Sequence, residues 1–171
     1  MNTTQAIRAR RSIRKYLPGA TIPQEHVDLM LEAAMCAPSA RNKRPYAFVV
    51  VENKALLAEI AARHPYAKFL SEASLAIVVC GDPTAYPKPP GQALWPQDCA
   101  AATQTVLLQA TELGYGSCWS ALYPYEERYG VVADILDIRD TVPFSLITLG
   151  IADEAPDRRG FFDKAKVRYV R

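Results

Sequence analysis

Two short stretches of this 171-residue chain combine residue types that could hold a small molecule. The first is Arg10-Arg11-Ser12-Ile13-Arg14-Lys15-Tyr16. Guanidinium groups bond phosphate oxygens in pairs, and a serine hydroxyl adds a donor, so the run suits an anion. On charge alone the run suits equally well the solvated C-terminal end of a helix, where cations are stabilised. The second stretch is Pro38-Ser39-Ala40-Arg41-Asn42-Lys43-Arg44-Pro45, a polar loop between two prolines. Ser39, Asn42 and Arg44 would present polar groups there, and an asparagine that both donates and accepts suits the edge of a heterocycle. The bland alternative is a helix stop and a strand start. Two weaker signals follow. Gly114-Tyr115-Gly116-Ser117-Cys118-Trp119-Ser120-Ala121 has two glycines that permit a tight turn or a close backbone approach. Lys164-Ala165-Lys166-Val167-Arg168 is a basic terminus.

No Walker loop, GxGxxG, GxSxG or HExxH pattern occurs. The cysteines Cys36, Cys80, Cys99 and Cys118 form no CxxC pair, and His26 and His64 have no ligand-like spacing with them. A structural metal site is not expected. With no nucleophile or acid–base set in view, a cofactor would carry any chemistry.

The bulk composition narrows the class further. Half of the residues are hydrophobic and 22% are charged, which is globular composition. The formal charge of +2 gives no support to nucleic-acid binding. No apolar run approaches the ~18 residues of a membrane span. The N-terminus opens directly into a polar segment, so a cytoplasmic protein with reduced thiols is expected.

Apolar periodicity supplies the elements. Thr3 to Arg11 reads as a short helix capped by Thr3 or Thr4. A Thr21-x-x-Gln24 capping pattern opens a second helix, with Val27, Met30, Leu31 and Ala34 on one face, and Pro38 ends it. Buried strands are expected at Tyr46–Val51, Ser74–Gly81 and Phe144–Gly150 and a short strand at Ser117–Leu122, with helices from Lys54 to Arg63 and Glu126 to Leu136. Asp82 to Pro96 reads as a long irregular loop. Asp98 to Leu113 is the most apolar helix, which implies a central position or a second subunit against it. Residues 1–171 are expected to form one α+β domain, a mixed, mainly antiparallel sheet flanked by helices in three layers.

Together, in this order, the four motifs resemble those of the nitroreductase family, in compact form. The first run is similar to the family's Arg-Arg-Ser-x-Arg-x-Phe/Tyr opening, and Ala37–Tyr46 resembles its Ala-Pro-Ser-x-x-Asn-x-Gln-Pro-Trp loop, with Arg44 in place of Gln and Tyr46 in place of Trp. Asp98–Trp119 resembles its central helix and following strand, and Lys164–Val167 its basic C-terminal element. The resemblance implies an intertwined homodimer with FMN between the subunits. It implies that Arg10, Ser12 and Lys166, with Lys164 as a weaker candidate, hold the phosphate. Arg11 would contribute through its backbone, and Arg14 would lie by the ribityl chain and pyrimidine edge. Pro38, Ser39, Ala40, Asn42 and Arg44 would line the flavin, partly or wholly from the partner, and Trp119, Ser120 and Ala121 would run beside the ring. The implied activity is ping-pong transfer of reducing equivalents from NAD(P)H through flavin to a nitroaromatic, quinone or similar small molecule. A specialised flavin enzyme (a dehalogenase or flavin-fragmenting enzyme) and a non-catalytic FMN-binding protein are the alternatives.

Overall fold

The structure is a computed structural model that describes residues 1–89, 93–157, 160 and 162–171. Its elements in chain order are α1 (Thr3–Ala9), α2 (Gln24–Met35), β1 (Tyr46–Val51), α3 (Lys54–Arg63), β2 (Leu75–Gly81), α4 (Trp95–Glu112), β3 (Gly116–Ala121), α5 (Glu126–Ile135) and β4 (Val142–Gly150). The four strands form one antiparallel sheet in the order β1-β2-β4-β3. Outside these strand pairings, an isolated parallel bridge links Ser12 to Ser117 of β3.

β2 and β4 occupy the middle of the sheet, and side chains alternate between its two faces. Leu75, Ile77, Val79, Ile147 and Leu149 pack with α2 and α4 into one core. Ala76, Val78, Cys80 and Leu146 pack with Leu57, Ile60 and Val132, from α3 and α5, into a second. With this two-sided burial β2 is apolar throughout and β4 mostly so, its Ser145 and Thr148 being buried polar residues, despite the antiparallel pairing. The result is the expected α+β three-layer arrangement.

Helix ends differ from expectation. Asn2, not Thr3 or Thr4, caps α1: its side chain accepts from the Gln5 N–H at 2.9 Å, while the Gln5 side chain returns a bond to the Asn2 N–H. α1 also stops at Ala9. At α2 the N-cap is Pro23, without a side-chain bond, so the Thr21 capping box does not form. α4 begins at Trp95, one turn before Asp98, with Pro96 in its first turn, where a missing N–H costs nothing. That shortens the expected 82–96 loop, which also contains a 3₁₀ turn over Pro83–Ala85; residues 90–92 lie outside the described residues.

The segment after α1 is stitched onto the sheet. Ile13 N–H donates to the Ser117 carbonyl at 2.9 Å, and Leu17 N–H to that of Ile151 at 2.9 Å. Two glycines allow this approach. A Cβ on Gly116 would lie 2.9 Å from Ile13, and one on Gly150 2.8 Å from the ring of Tyr16. Ser12 and Arg14 are thereby placed beside β3.

Candidate active site

Arg14 and Trp119, Ser120 and Ala121 of β3 line one cleft of about 510 Å³. Cys118, also of β3, shares its wall. The opposite wall comes from the turn after α3, with His64, Tyr66, Lys68 and Phe69, and from Arg128 of α5. Three cationic side chains (Arg14, Lys68, Arg128) and three aromatic ones (Tyr66, Phe69, Trp119) thus face one hollow whose lining contains no carboxylate. The Arg128 guanidinium stacks 3.8 Å from the Tyr125 ring centre and 4.9 Å from that of Tyr66, which holds its charge in place.

His64 is buried, and its Nδ1 accepts from the Tyr66 N–H at 3.2 Å. Burial, and then the Arg128 charge, push its pKa below the usual histidine value. The ring is therefore neutral with its proton on Nε2, and this Nε2 has no partner among the described residues. Nε of Arg128 likewise makes no hydrogen bond among the described residues, although the Glu127 carboxylate lies 3.8 Å from it. The Cys118 thiol is pushed up by burial, against the opposing pull of Arg14 and Ser12, and stays a thiol at neutral pH rather than a nucleophile. Burial raises Cys80 to about 11 and Cys99 to about 12.

The other motif residues are distributed as follows. Arg10 ends α1 and Ser12 adjoins β3 through the Ser117 bridge. The Arg11 side chain is committed to two backbone carbonyls, those of Arg10 and, at 3.0 Å, Asp157. Lys164 and Lys166 are exposed in a 3₁₀ turn capped by Asp163, and neither belongs to the cleft lining. Pro38, Asn42 and Arg44 line a separate hollow of about 670 Å³ along α2, with Asp28 and Glu32 across from them. A single chain therefore does not bring the Pro38–Arg44 loop and the Arg14–Trp119 cleft into one pocket.

That loop is a built feature. Arg41, Asn42 and Arg44 take φ values of 54°, 53° and 49°, a left-handed region costly for arginine. Ser39 Oγ accepts the Arg44 N–H at 2.9 Å, and Asn42 Oδ1 accepts Arg44 Nε at 3.0 Å. Beneath it, buried Asp98 of α4 accepts the Ala40 N–H at 3.0 Å and the Tyr86 hydroxyl at 2.6 Å. Sequence reasoning missed Tyr86, His64, Lys68 and Arg128 as wall or support residues. None stands in a motif, and only the packing of α3 and α5 on the sheet brings the last three to the cleft.

A family model described as the nitroreductase family matches residues 7–64 and 61–151. The chain belongs to the nitroreductase family. As a member it is an oxidoreductase. A relative from Methanothermobacter thermautotrophicus, named "Putative NADH dehydrogenase/NAD(P)H nitroreductase", is 42% identical over 168 residues, covering 98% of this chain and 86% of its own length. A crystal structure of a nitroreductase-family protein of the same name from Bacteroides thetaiotaomicron superposes with a TM-score of 0.90 at 38% identity, covering 98% of this chain and 96% of that one. An FMN-dependent nitroreductase from Clostridium difficile gives 0.86 at 29% identity, covering 96% of each chain.

Proposed function

We propose that this nitroreductase-family protein is an FMN-dependent NAD(P)H oxidoreductase acting on a nitroaromatic, quinone or similar oxidised small molecule. The carrying observation is the cleft between β3 and the α3–α5 wall, with three cations, three aromatic rings and no carboxylate in its lining. Its lining fits a planar conjugated ring: Tyr66, Phe69 and Trp119 offer aromatic surface, and Arg14, Lys68 and Arg128 offer positive charge. When bound, FMN would supply ping-pong transfer of reducing equivalents from the nicotinamide to the acceptor. The chain's own task is binding, charge and exclusion. Arg10, Ser12 and Lys166, with Lys164 in second place, hold the phosphate. Arg11 contributes through its backbone, since its side chain is already bonded. Arg14 and Lys68 favour the negative charge that accompanies reduction. Trp119, Ser120 and Ala121 provide a strand edge along the ring.

The working unit in this proposal is a homodimer. Pro38, Ser39, Ala40, Asn42 and Arg44 reach the flavin from the second chain, which would unite the two hollows that lie apart in one chain. The edge strand β1 and α2 also leave apolar surface uncovered, with Leu31, Met35, Tyr46 and Phe48 around a further hollow of about 380 Å³. The cytoplasm fits four free cysteines, three of them buried thiols. Mass identification of the released cofactor tests the reading: FMN at about one per chain is expected, for a fold with phosphate donors but no dinucleotide fingerprint. FAD, or no flavin, would contradict it.

A further inference from the structure

The Pro38–Arg44 loop turns its residues alternately to two sides. Asn42 and Arg44 line the hollow along α2, where Asp28 and Glu32 face them. Arg41 and Lys43 line a different hollow of about 590 Å³, which shares no residue with the first. The chain from Ala85 to Pro89 and the start of α4, with Leu94 and Gln97, form its other sides. Lys88 brings a third cation. The described lining contains no carboxylate, and none of the three cations makes a salt bridge among the described residues. The function proposed above uses none of them.

This setting suits a phosphate carried on a flat, partly apolar body. Pro87 and Pro89 bracket Lys88, and their fixed φ restrains the backbone that presents it. Asp82 anchors the segment by accepting the Thr84 N–H at 2.7 Å. The Tyr86 hydroxyl donates within reach of the Asp98 carboxylate at 2.6 Å and the Ala40 carbonyl at 2.8 Å. Burial, then Asp98, push its pKa up to about 12, so this wall stays neutral, and the carboxylate behind it is already bonded by Tyr86 and the Ala40 N–H. Leu94, Ala85 and the proline rings add apolar surface. Gln97 Nε2 donates to the Ala93 carbonyl at 3.3 Å, which leaves the amide Oε1 as an acceptor suited to an exocyclic amine. Three cations, an apolar wall and one amide acceptor match an adenosine that bears a phosphomonoester.

We propose that this hollow takes the adenosine 2′-phosphate end of NADPH, with Arg41, Lys43 and Lys88 as the residues that select NADPH over NADH. The inference rests on the reading above that the chain draws reducing equivalents from NAD(P)H, and it adds which of the two donors is used. In the dimer proposed there, Asn42 and Arg44 reach the flavin, so Arg41 and Lys43 serve the other side of the same loop. The nicotinamide end of the donor belongs on the flavin, and the hollow across the loop receives the far end. A phosphomonoester carries about two negative charges at neutral pH, and NADH lacks that group.

The experiment compares kcat/KM for NADPH with that for NADH on the flavin-loaded protein, with 4-nitrobenzamide as acceptor. The wild type should favour NADPH about ten-fold or more. The double variant Lys43→Ala/Lys88→Ala should cut that ratio about ten-fold, as loss of a charge-assisted phosphate contact does. Both side chains are exposed, so the variant should fold as the wild type does. Added salt should narrow the wild-type ratio, because the contact lies at the surface. A wild type that uses both donors equally or favours NADH overturns the assignment, and so does a double variant whose ratio is unchanged. An unchanged ratio with a raised KM for 4-nitrobenzoate gives the hollow to an anionic acceptor and equally overturns the donor assignment. A chain that binds no flavin contradicts the reading above, not the hollow, and calorimetry on that same chain then decides. Adenosine 2′,5′-bisphosphate should bind about ten-fold tighter than adenosine 5′-monophosphate, and the double variant should lose the difference. Equal binding of the two nucleotides by the wild type would overturn the proposal.

Discussion

At the scale of single residues, the account turns on which cations do what. Arg10 closes α1 next to the segment bridged to β3, whereas Arg8 is exposed on α1. Arg10→Ala should weaken FMN binding ten-fold or more, as loss of a charge-assisted contact of roughly 1.5–3 kcal/mol does. Arg8→Ala should stay within about two-fold, the usual range of exposed substitutions; equal effects in a flavin titration would mean the phosphate lies elsewhere. Cys118 lines the cleft, but burial keeps its thiol protonated. Cys118→Ala should keep both its flavin and its reduction by NAD(P)H in stopped-flow absorbance, and loss of reduction alone would reveal a thiol step. His64 gives a pH signature. Its folded pKa lies below the ordinary value of 6.5, so the unfolded chain takes the proton first. The stability from its neutral form is therefore present above that ordinary value and fades as pH falls below it. Between about pH 7.5 and pH 5.5 the wild type should lose more Tm than His64→Gln, and parallel losses would contradict the burial argument.

At the scale of elements, close backbone approach is what places the cleft. Gly116 lets Ile13 lie against β3, and a Cβ there would come within 2.9 Å of it. Gly116→Val should cost about 1–3 kcal/mol, as overpacking does, and loosen FMN by shifting Ser12 and Arg14. Gly130 in α5 has nothing within 4 Å of its would-be Cβ, so Gly130→Ala should stabilise by about 0.5–1 kcal/mol through helix propensity. Thermal melts of the pair check both signs. The elements themselves were largely legible in the residues: the runs Tyr46–Val51 and Leu75–Gly81 are strands, and Val27, Met30 and Ala34 do face the core. Only β2 is buried along its length, however, whereas β1 lies at the sheet edge with Val51 buried, Ala47 exposed and the rest half-buried. Caps were less legible, because Asn2 competes with Thr3 and Thr4, and Pro23 displaces the hydroxyl box of Thr21. The start of α4 was missed because prolines masked it, although Pro96 sits in a first turn that tolerates it. The cleft's far wall was illegible altogether, since His64, Lys68 and Arg128 meet β3 only through tertiary packing.

At the scale of the whole molecule, the proposed site is complete only with two copies. Within one chain α4 buries Cys99, Ala102, Val106 and Ala110, while Ala101, Thr105 and Leu108 remain half-buried and Gln104 exposed. That leftover face, with the uncovered surface of α2 and β1, is where a second chain would complete the burial of the helix. An isologous contact would bring each chain's Asn42 loop to the other's Arg14 cleft. Obligate interfaces of this kind commonly bury ~2,000 Å² or more, so flavin loss should track subunit dissociation or unfolding. The most direct test is a mixed dimer of one chain carrying Arg10→Ala and one carrying Asn42→Ala, each variant alone being flavin-poor. If each site draws Arg10 from one chain and Asn42 from the other, both defects fall in one site, the other is intact, and the isolated mixed dimer holds about half of the wild-type flavin. Mixed dimers that stay as flavin-poor as either parent would contradict a site shared between chains, as would a monomer in light scattering that still holds FMN tightly.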